Sequence, residues 1–182
     1  MVGENLPQPA GFTIRPAIAA DTPDVAAMIH ARCDWLEQRG LPSLRQSVDA
    51  LAEQCGDGTV WVLTTTGGDV VGCTTVLDHG PARDWNEAER AEPALYLFST
   101  VTHPDYLALK PGTLIAHWAV NRAARQGKHW VRRGCLDLEL RRYYSEQGFF
   151  LVREIEVRLG TLYVMARRAE RLDIPMLTAA CD

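Results

Sequence analysis

The stretch TVWVLTTTGGDVVGCTTVL, residues 59–77, constrains the fold more than any other part of the sequence. Two runs rich in β-branched residues flank Gly67-Gly68-Asp69, and this pattern predicts a β-hairpin. Strands elsewhere in the chain are separated by amphipathic stretches that predict helical connections. Since hairpins give antiparallel pairs and helical crossovers give parallel ones, we expect a mixed sheet.

The remaining elements follow from periodicity, caps and breakers. A first strand covers about Phe12 to Pro16, and Asp21 is expected to cap the helix that follows it. The predicted order is strand, helix, helix, three strands, helix, strand, helix and two strands. The fold class is therefore α/β in the broad (α+β) sense, with a mixed, twisted sheet of about seven strands flanked by about four helices. We expect one domain over residues 11–170, between tails at 1–10 and 171–182.

Composition excludes several function classes. The net charge of −4 over 182 residues argues against a general nucleic-acid binder. The five cysteines are scattered without a C-x-x-C pair, which favours reduced thiols over a disulfide framework or a metal site. The N-terminus lacks a basic start followed by an apolar run, and no apolar stretch is long enough to span a membrane. We expect a cytoplasmic protein without a metal, nucleic-acid or membrane partner.

The stretch PDYLALKPGTLIAHWAVNRAARQG, residues 104–127, predicts a loop that enters the clearest helix of the chain. The N-terminus of a helix offers unpaired N–H groups and the positive end of the helix dipole, which suit a pyrophosphate. Lys110 and Thr113 could add a charge and a hydroxyl, whereas Pro111 has no N–H and simply favours a helix start. A phosphate site and a plain turn both remain open on these residues.

Three stretches, in this order, resemble the GCN5-related N-acetyltransferase (GNAT) family. The family's opening strand and first helix correspond to FTIRPAIAADTPDVAAMI. Its cofactor-binding strand and loop correspond to LYLFSTVTHPDY, and its late helix, with a tyrosine four residues before Gly-Phe, corresponds to LRRYYSEQGF. The likeness covers residues 12–168. It implies acetyl-CoA or another acyl-CoA as cofactor, and transfer of the acyl group to an amine.

The resemblance also implies where the cofactor binds. In the family, pantetheine pairs with the backbone of the fourth strand, in a gap between the fourth and fifth strands. The family's Gln/Arg-x-x-Gly-x-Gly/Ala loop falls on LALKPG, residues 107–112, so that Leu107 and Lys110 replace its first two conserved positions. The cofactor-binding residues implied in this way are Ser99, Thr100, Val101, Leu109, Lys110, Pro111, Gly112 and Thr113.

Tyr144 stands where the family keeps the tyrosine that protonates the departing CoA thiolate. A phenol has a pKa of about 10, so it holds its proton at neutral pH and can donate it. Its neighbour Tyr143 is expected to pack against the rest of the protein. Asp137, seven residues before Tyr144, occupies a position where many members carry asparagine, and it is a good helix cap.

The acceptor is expected to be an amine of a small molecule or peptide, and Trp35, Asp78 and His79 are candidates for its pocket. No general base stands out. Two alternatives remain open: a GNAT-like binding module with weak or no CoA binding, which the altered loop favours, and an acyltransferase that acts on a hydroxyl or carries a longer acyl chain. The terminal strand pair could join two copies into a homodimer.

Overall fold

Residues 11–180, the part of the chain that the computed structural model describes, fold around one eight-stranded sheet. The strands are β1 (Phe12–Pro16), β2 (Val60–Thr65), β3 (Val70–Leu77), β4 (Ala94–Thr102), β5 (Trp130–Cys135), β6 (Phe150–Val157), β7 (Gly160–Arg168) and β8 (Leu177–Ala179). The α-helices are α1 (Thr22–Glu37), α2 (Val48–Ala52), α3 (Glu87–Ala91), α4 (Pro111–Arg125) and α5 (Leu138–Glu146). The predicted tail at 1–10 and the last two residues lie outside the described part.

The sheet is mixed, as the sequence predicted, with the order β6-β7-β5-β4-β3-β2-β1-β8. The β4–β5 and β1–β8 pairs are parallel, and the other pairs are antiparallel. The predicted hairpin joins β2 to β3. Its turn is closed by the Gly68 N–H, which donates to the Thr65 carbonyl at 3.0 Å, and Gly68 has a φ of 93° that favours glycine.

The sheet continues past residue 170, the expected end of the domain. β8 lies beside β1, where the Phe12 N–H donates to the Met176 carbonyl at 2.8 Å and the Ala180 N–H donates to the Ile14 carbonyl at 3.0 Å. A strand of three residues is too short to show an alternating pattern. It forms because the backbone groups at the free edge of β1 need partners.

A second element that the sequence did not indicate is α3, within the polar segment 78–93. The Asn86 side chain accepts from the Glu89 N–H at 2.8 Å, and the Glu89 carboxylate accepts from the Asn86 N–H at 2.9 Å. This reciprocal capping box stabilises a helix of little more than one turn.

The helices divide the core between the two faces of the sheet. α1 and α2 pack with Val62, Cys73 and Val101 on one face. α4 packs with Leu63 and Val71, among others, on the opposite face. The alternation of side chains along β2 therefore sends the successive residues Val62 and Leu63 into two separate cores.

Asp21 secures the connection between β1 and α1 in a way that the sequence did not predict. Its carboxylate accepts two hydrogen bonds from the Arg15 guanidinium, at 2.7 and 2.8 Å, and one from the Ile18 N–H at 2.8 Å. The expected side-chain cap bond to α1 is not formed, because the carboxylate is already occupied. The hydrogen bonds from Arg15 lower the pKa of Asp21, and burial opposes them.

Among residues 11–180, no helix has the length and hydropathy that a membrane span requires. Within the same residues, no group of three or more His, Cys, Asp or Glu side chains is arranged to hold a metal ion.

Candidate active site

A gap opens between β4 and β5 in the middle of the sheet. The two strands pair only over Ala94–Tyr96 and Trp130–Arg132. Within the described chain, the rest of β4 has no strand partner on its β5 side. Its backbone is therefore a free edge to which an extended ligand could add like a strand, and it lies where the GNAT resemblance implied a cofactor.

A β-bulge shapes β4 at this gap. Cys73 of β3 lies opposite Val101, and Thr75 lies opposite Phe98, so three steps along β4 match two steps along β3. Ser99, within the bulge, has a φ of 47°, a left-handed conformation that is uncommon outside glycine. Bulges re-aim backbone and side-chain groups, and strain of about 1 to 3 kcal/mol in a non-glycine residue often marks a functional site. Two of the three implied pantetheine contacts, Ser99 and Thr100, lie here.

α5 places Tyr144 at this gap, on the sheet face that carries α4. Asp137 caps the helix as predicted, since its side chain accepts from the Leu140 N–H at 2.8 Å. Tyr144 is only 6% exposed, and burial raises the pKa of its phenol. The positive charge of Arg133 opposes this shift. The phenol therefore keeps its proton at neutral pH, as a proton donor must.

Arg133, which the sequence analysis did not single out, is the buried cation of the gap. It lies on β5 directly after Arg132, the last residue that pairs with β4. Its guanidinium carbon lies 3.5 Å from the ring centroid of Tyr144, and its Nη2 donates to the Thr100 hydroxyl at 3.1 Å. Arg133 thus spans from β5 to the bulge of β4, with the tyrosine ring against its planar face.

The mouth of α4 offers fewer free N–H groups than the sequence suggested. A 3-10 helix over Pro104–Leu109 leads to Lys110, whose φ is 50°. The Lys110 carbonyl accepts from the Thr113 and Leu114 N–H groups at 2.9 and 3.3 Å, and the Lys110 N–H donates to the Leu107 carbonyl at 3.0 Å. Pro111 has no N–H group. Among residues 110–114, the N–H of Gly112 is therefore the backbone donor that these hydrogen bonds do not use.

Side chains from α5 close the same mouth. Gly112 is buried, and a Cβ at this position would lie 3.0 Å from the Tyr143 hydroxyl oxygen. The Thr113 hydroxyl donates to the Tyr143 hydroxyl at 3.0 Å and accepts from the Gln147 amide at 3.3 Å. Tyr143 is thus a packing residue, as expected, and Gly112 provides the space that its ring needs.

The other two residues of the implied pyrophosphate site differ in exposure. Leu109 packs against the α4 core. Lys110 is exposed and forms no ion pair with a described residue. The fit to an acyl-CoA is therefore uneven. The gap has a free strand edge and the buried guanidinium of Arg133, whereas the N-terminus of α4 offers the exposed Lys110 and the Gly112 N–H.

The acceptor candidates do not lie together. Asp78 binds Lys128 at 2.7 Å and is 78% exposed. It follows Leu77, which lies opposite Tyr96, so Asp78 and the exposed His79 lie beside the paired half of β4 rather than its open half. Trp35 is half-buried on α1, with the Arg32 and Arg39 guanidinium carbons 4.5 and 3.9 Å from its ring centroid. The ring of Trp35 is therefore already in contact with two guanidinium groups.

The segment 78–93 is anchored over the sheet face that also carries α1. Trp85 is 4% exposed and meets the Tyr96 ring edge-on, and Arg132 donates to the Tyr96 hydroxyl at 2.8 Å. Tyr96, Phe98 and Val101 share this face because the bulge adds one residue to the alternation. Segment 78–93 and α1 therefore flank the open half of β4, with the half-buried Phe98 between them.

Several solved structures with a similar fold are acetyltransferases. A GNAT-family acetyltransferase from Listeria monocytogenes is 16% identical, and the match covers 86% of this chain and 94% of that chain with a TM-score of 0.72. The chain has the GNAT acetyltransferase fold. A GNAT-family acetyltransferase from Bacillus anthracis is 11% identical over 86% of this chain and 93% of that chain, with a TM-score of 0.63.

A variant of the spermidine N-acetyltransferase SpeG from Vibrio cholerae is also similar. It is 13% identical over 88% of this chain and 95% of that chain, with a TM-score of 0.60. No protein-family model and no curated protein sequence matches the chain. The resemblance to the GNAT family is thus confirmed at the level of the fold.

Proposed function

We propose that this chain is an acyl-CoA-dependent N-acyltransferase that transfers acetyl from acetyl-CoA to an amine by direct attack in a ternary complex. One observation carries the proposal: the free edge of β4 in the gap, with a strained bulge at Ser99 and the protonated phenol of Tyr144 beside it.

Each part of the gap has a role in this proposal. The backbone of Ser99, Thr100 and Val101 pairs with the pantetheine arm, and an N–H of this stretch polarises the thioester carbonyl. Tyr144 donates a proton toward the departing sulfur. Lys110 is the residue that supplies positive charge beside the diphosphate at the helix mouth. When bound, acyl-CoA supplies an activated acyl group.

The acceptor proposed is an amine of a small molecule or peptide. It would approach over Phe98, between α1 and segment 78–93, from the sheet face opposite Tyr144. The net charge of −4 suits a cationic substrate, and a structural neighbour is a spermidine N-acetyltransferase. The same proposal places the protein in the cytoplasm, and a homodimer through the terminal strands stays a prediction.

Activity is tested by incubating the purified protein with acetyl-CoA and a panel of polyamines, aminoglycosides and short peptides, and by measuring free CoA by chromatography. Amine-dependent CoA release, with acetylated product detected by mass spectrometry, supports the proposal. A parallel panel of alcohols and longer acyl-CoAs tests the alternative acyltransferase. Release that does not depend on any acceptor would contradict acyl transfer.

The altered helix mouth favours a second candidate, a GNAT-fold binding module with weak or no CoA binding. Its support is that Gly112 and Thr113 are explained by their contacts with Tyr143 and Gln147, and that Pro111 favours a helix start. Absence of any CoA binding, with retained folding, would favour this candidate over the enzyme.

A further inference from the structure

Arg133 is a buried cation that the fold does not neutralise. The residue is 5% exposed. Its Nε and Nη1 atoms are fully buried without a hydrogen-bond acceptor among residues 11–180, and it forms no ion pair with a carboxylate in that part of the chain. A buried charge is costly unless it is paired, so this arrangement suggests that an anion belongs beside it during function.

The neighbours of Arg133 fix it at the point where β4 and β5 separate. Its Nη2 binds the Thr100 hydroxyl, which lies 2.9 Å from the Thr74 hydroxyl. The aromatic rings of Tyr144 and Phe149 lie 3.5 and 5.5 Å from its guanidinium carbon. The cation is therefore held between the bulge of β4 and the tyrosine, with two donors still unused.

We propose that Arg133 stabilises the CoA thiolate as it departs, and that the ring of Tyr144 holds the guanidinium in place. This inference rests on the proposed function and adds a residue to it. As the amine nitrogen bonds to the thioester carbon, the carbon–sulfur bond breaks and its electron pair remains on sulfur. The nitrogen releases its extra proton to water. The guanidinium of Arg133 stabilises the negative charge on sulfur. Tyr144 or water later protonates the thiolate.

The chemistry of the step explains why a cation suits this position. A thiol with a pKa of about 8.5 leaves more readily as an anion when a positive charge is already fixed beside it. Fixed charges in a site that excludes water act strongly because they need no reorganisation during reaction. A purely structural Arg133 would tie β5 to β4 through Thr100, but this role leaves its other two buried donors without an explanation.

Binding of free CoA as a function of pH tests the inference without turnover. The affinity for CoA and for desulfo-CoA, which lacks the thiol, is measured by calorimetry between pH 6 and 9. A cation that favours the thiolate lowers the pKa of the bound thiol, so the preference for CoA should increase as pH rises through that pKa. A lowering of the thiol pKa by one unit makes the rise approach about tenfold above the pKa of the free thiol, so we expect a rise of about fivefold to tenfold by pH 9.

The variants separate charge from packing. Arg133→Met should abolish the rise with pH in the preference for CoA over desulfo-CoA, while Arg133→Lys should retain part of this rise. Tyr144→Phe should leave the rise largely intact because the ring remains. Arg141→Met is a matched control, since it removes an arginine from α5 that is partly exposed and pairs with Glu154. With acetyl-CoA and an amine, Arg133→Met should lower kcat by about 100-fold with KM for acetyl-CoA nearly unchanged.

The outcomes distinguish the two proposals. If both ligands bind but the preference for CoA does not change with pH, or if Arg133→Met keeps the rise, the inference is wrong and the proposed function stands. If neither ligand binds, the proposed function fails as well.

Discussion

Replacing Arg133 with methionine should leave the stability of the fold almost unchanged, although the side chain is large and buried. The loss of its hydrogen bond to Thr100 costs about 1.5 to 3 kcal/mol, and the loss of its stacking on Tyr144 costs about 2 kcal/mol. Against this, the change removes two buried donors without acceptors, each of which costs about 1 to 3 kcal/mol. The middles of these two ranges nearly cancel, so we expect the free energy of unfolding to change by about 1 kcal/mol or less, and the ends of the ranges limit the loss to about 3 kcal/mol.

Urea unfolding at pH 7, followed by tryptophan fluorescence, measures this change from the midpoint and slope of the transition. Met165→Ala is the matched control, because Met165 lies opposite Arg133 on β7 and is fully buried. Truncation of a buried methionine should cost about 2 to 5 kcal/mol. A loss in Arg133→Met of more than about 3 kcal/mol, similar to the control, would refute the view that Arg133 is kept for function rather than for folding.

Three further predictions concern other residues. Tyr144→Phe should lower turnover with little change in CoA affinity, because it removes a proton donor and keeps the ring; full activity in steady-state assays would exclude Tyr144 as the acid. Lys110→Ala should weaken CoA binding by about 1 to 3 kcal/mol in calorimetry if its charge serves the diphosphate, whereas unchanged affinity would show that Lys110 has no part in binding. Asp21→Asn should destabilise the fold by about 1 to 2 kcal/mol at pH 7, a value reduced for the partial exposure of Arg15. Since folding lowers the pKa of Asp21, this stability is fully present above the ordinary pKa of 3.8 and is lost as pH falls through the lowered pKa of the folded state. A difference from wild type that does not shrink as pH falls below 3.8 would contradict the assignment.

Local sequence signals predicted much of the fold. The bounds of β1 match the prediction, and the β2–β3 hairpin and the Asp137 cap formed as expected. Each depends on residues close together in the chain, where propensity and turn chemistry decide the structure. β8 and α3 are too short to produce a periodic pattern, so the sequence did not reveal them.

The candidate site was less predictable because distant residues determine it. Gly112 was interpreted as a phosphate contact, but its local role depends on Tyr143, about thirty residues later in the chain. Arg133 could have been found from alternation alone. Val131 and Cys135 are buried on the α4 face of β5, and a residue midway between them in a strand must share that face. An arginine at such a position is a signal of buried charge.

Calorimetry with acetyl-CoA, compared with adenosine diphosphate, tests the central claim most directly. The account assigns most of the binding to the gap between β4 and β5, and it assigns one charged contact, from Lys110, to the N-terminus of α4. It therefore predicts micromolar binding of acetyl-CoA and much weaker binding of adenosine diphosphate. Absence of heat and of thermal stabilisation with millimolar acetyl-CoA would contradict the account, and the binding-module interpretation would replace it.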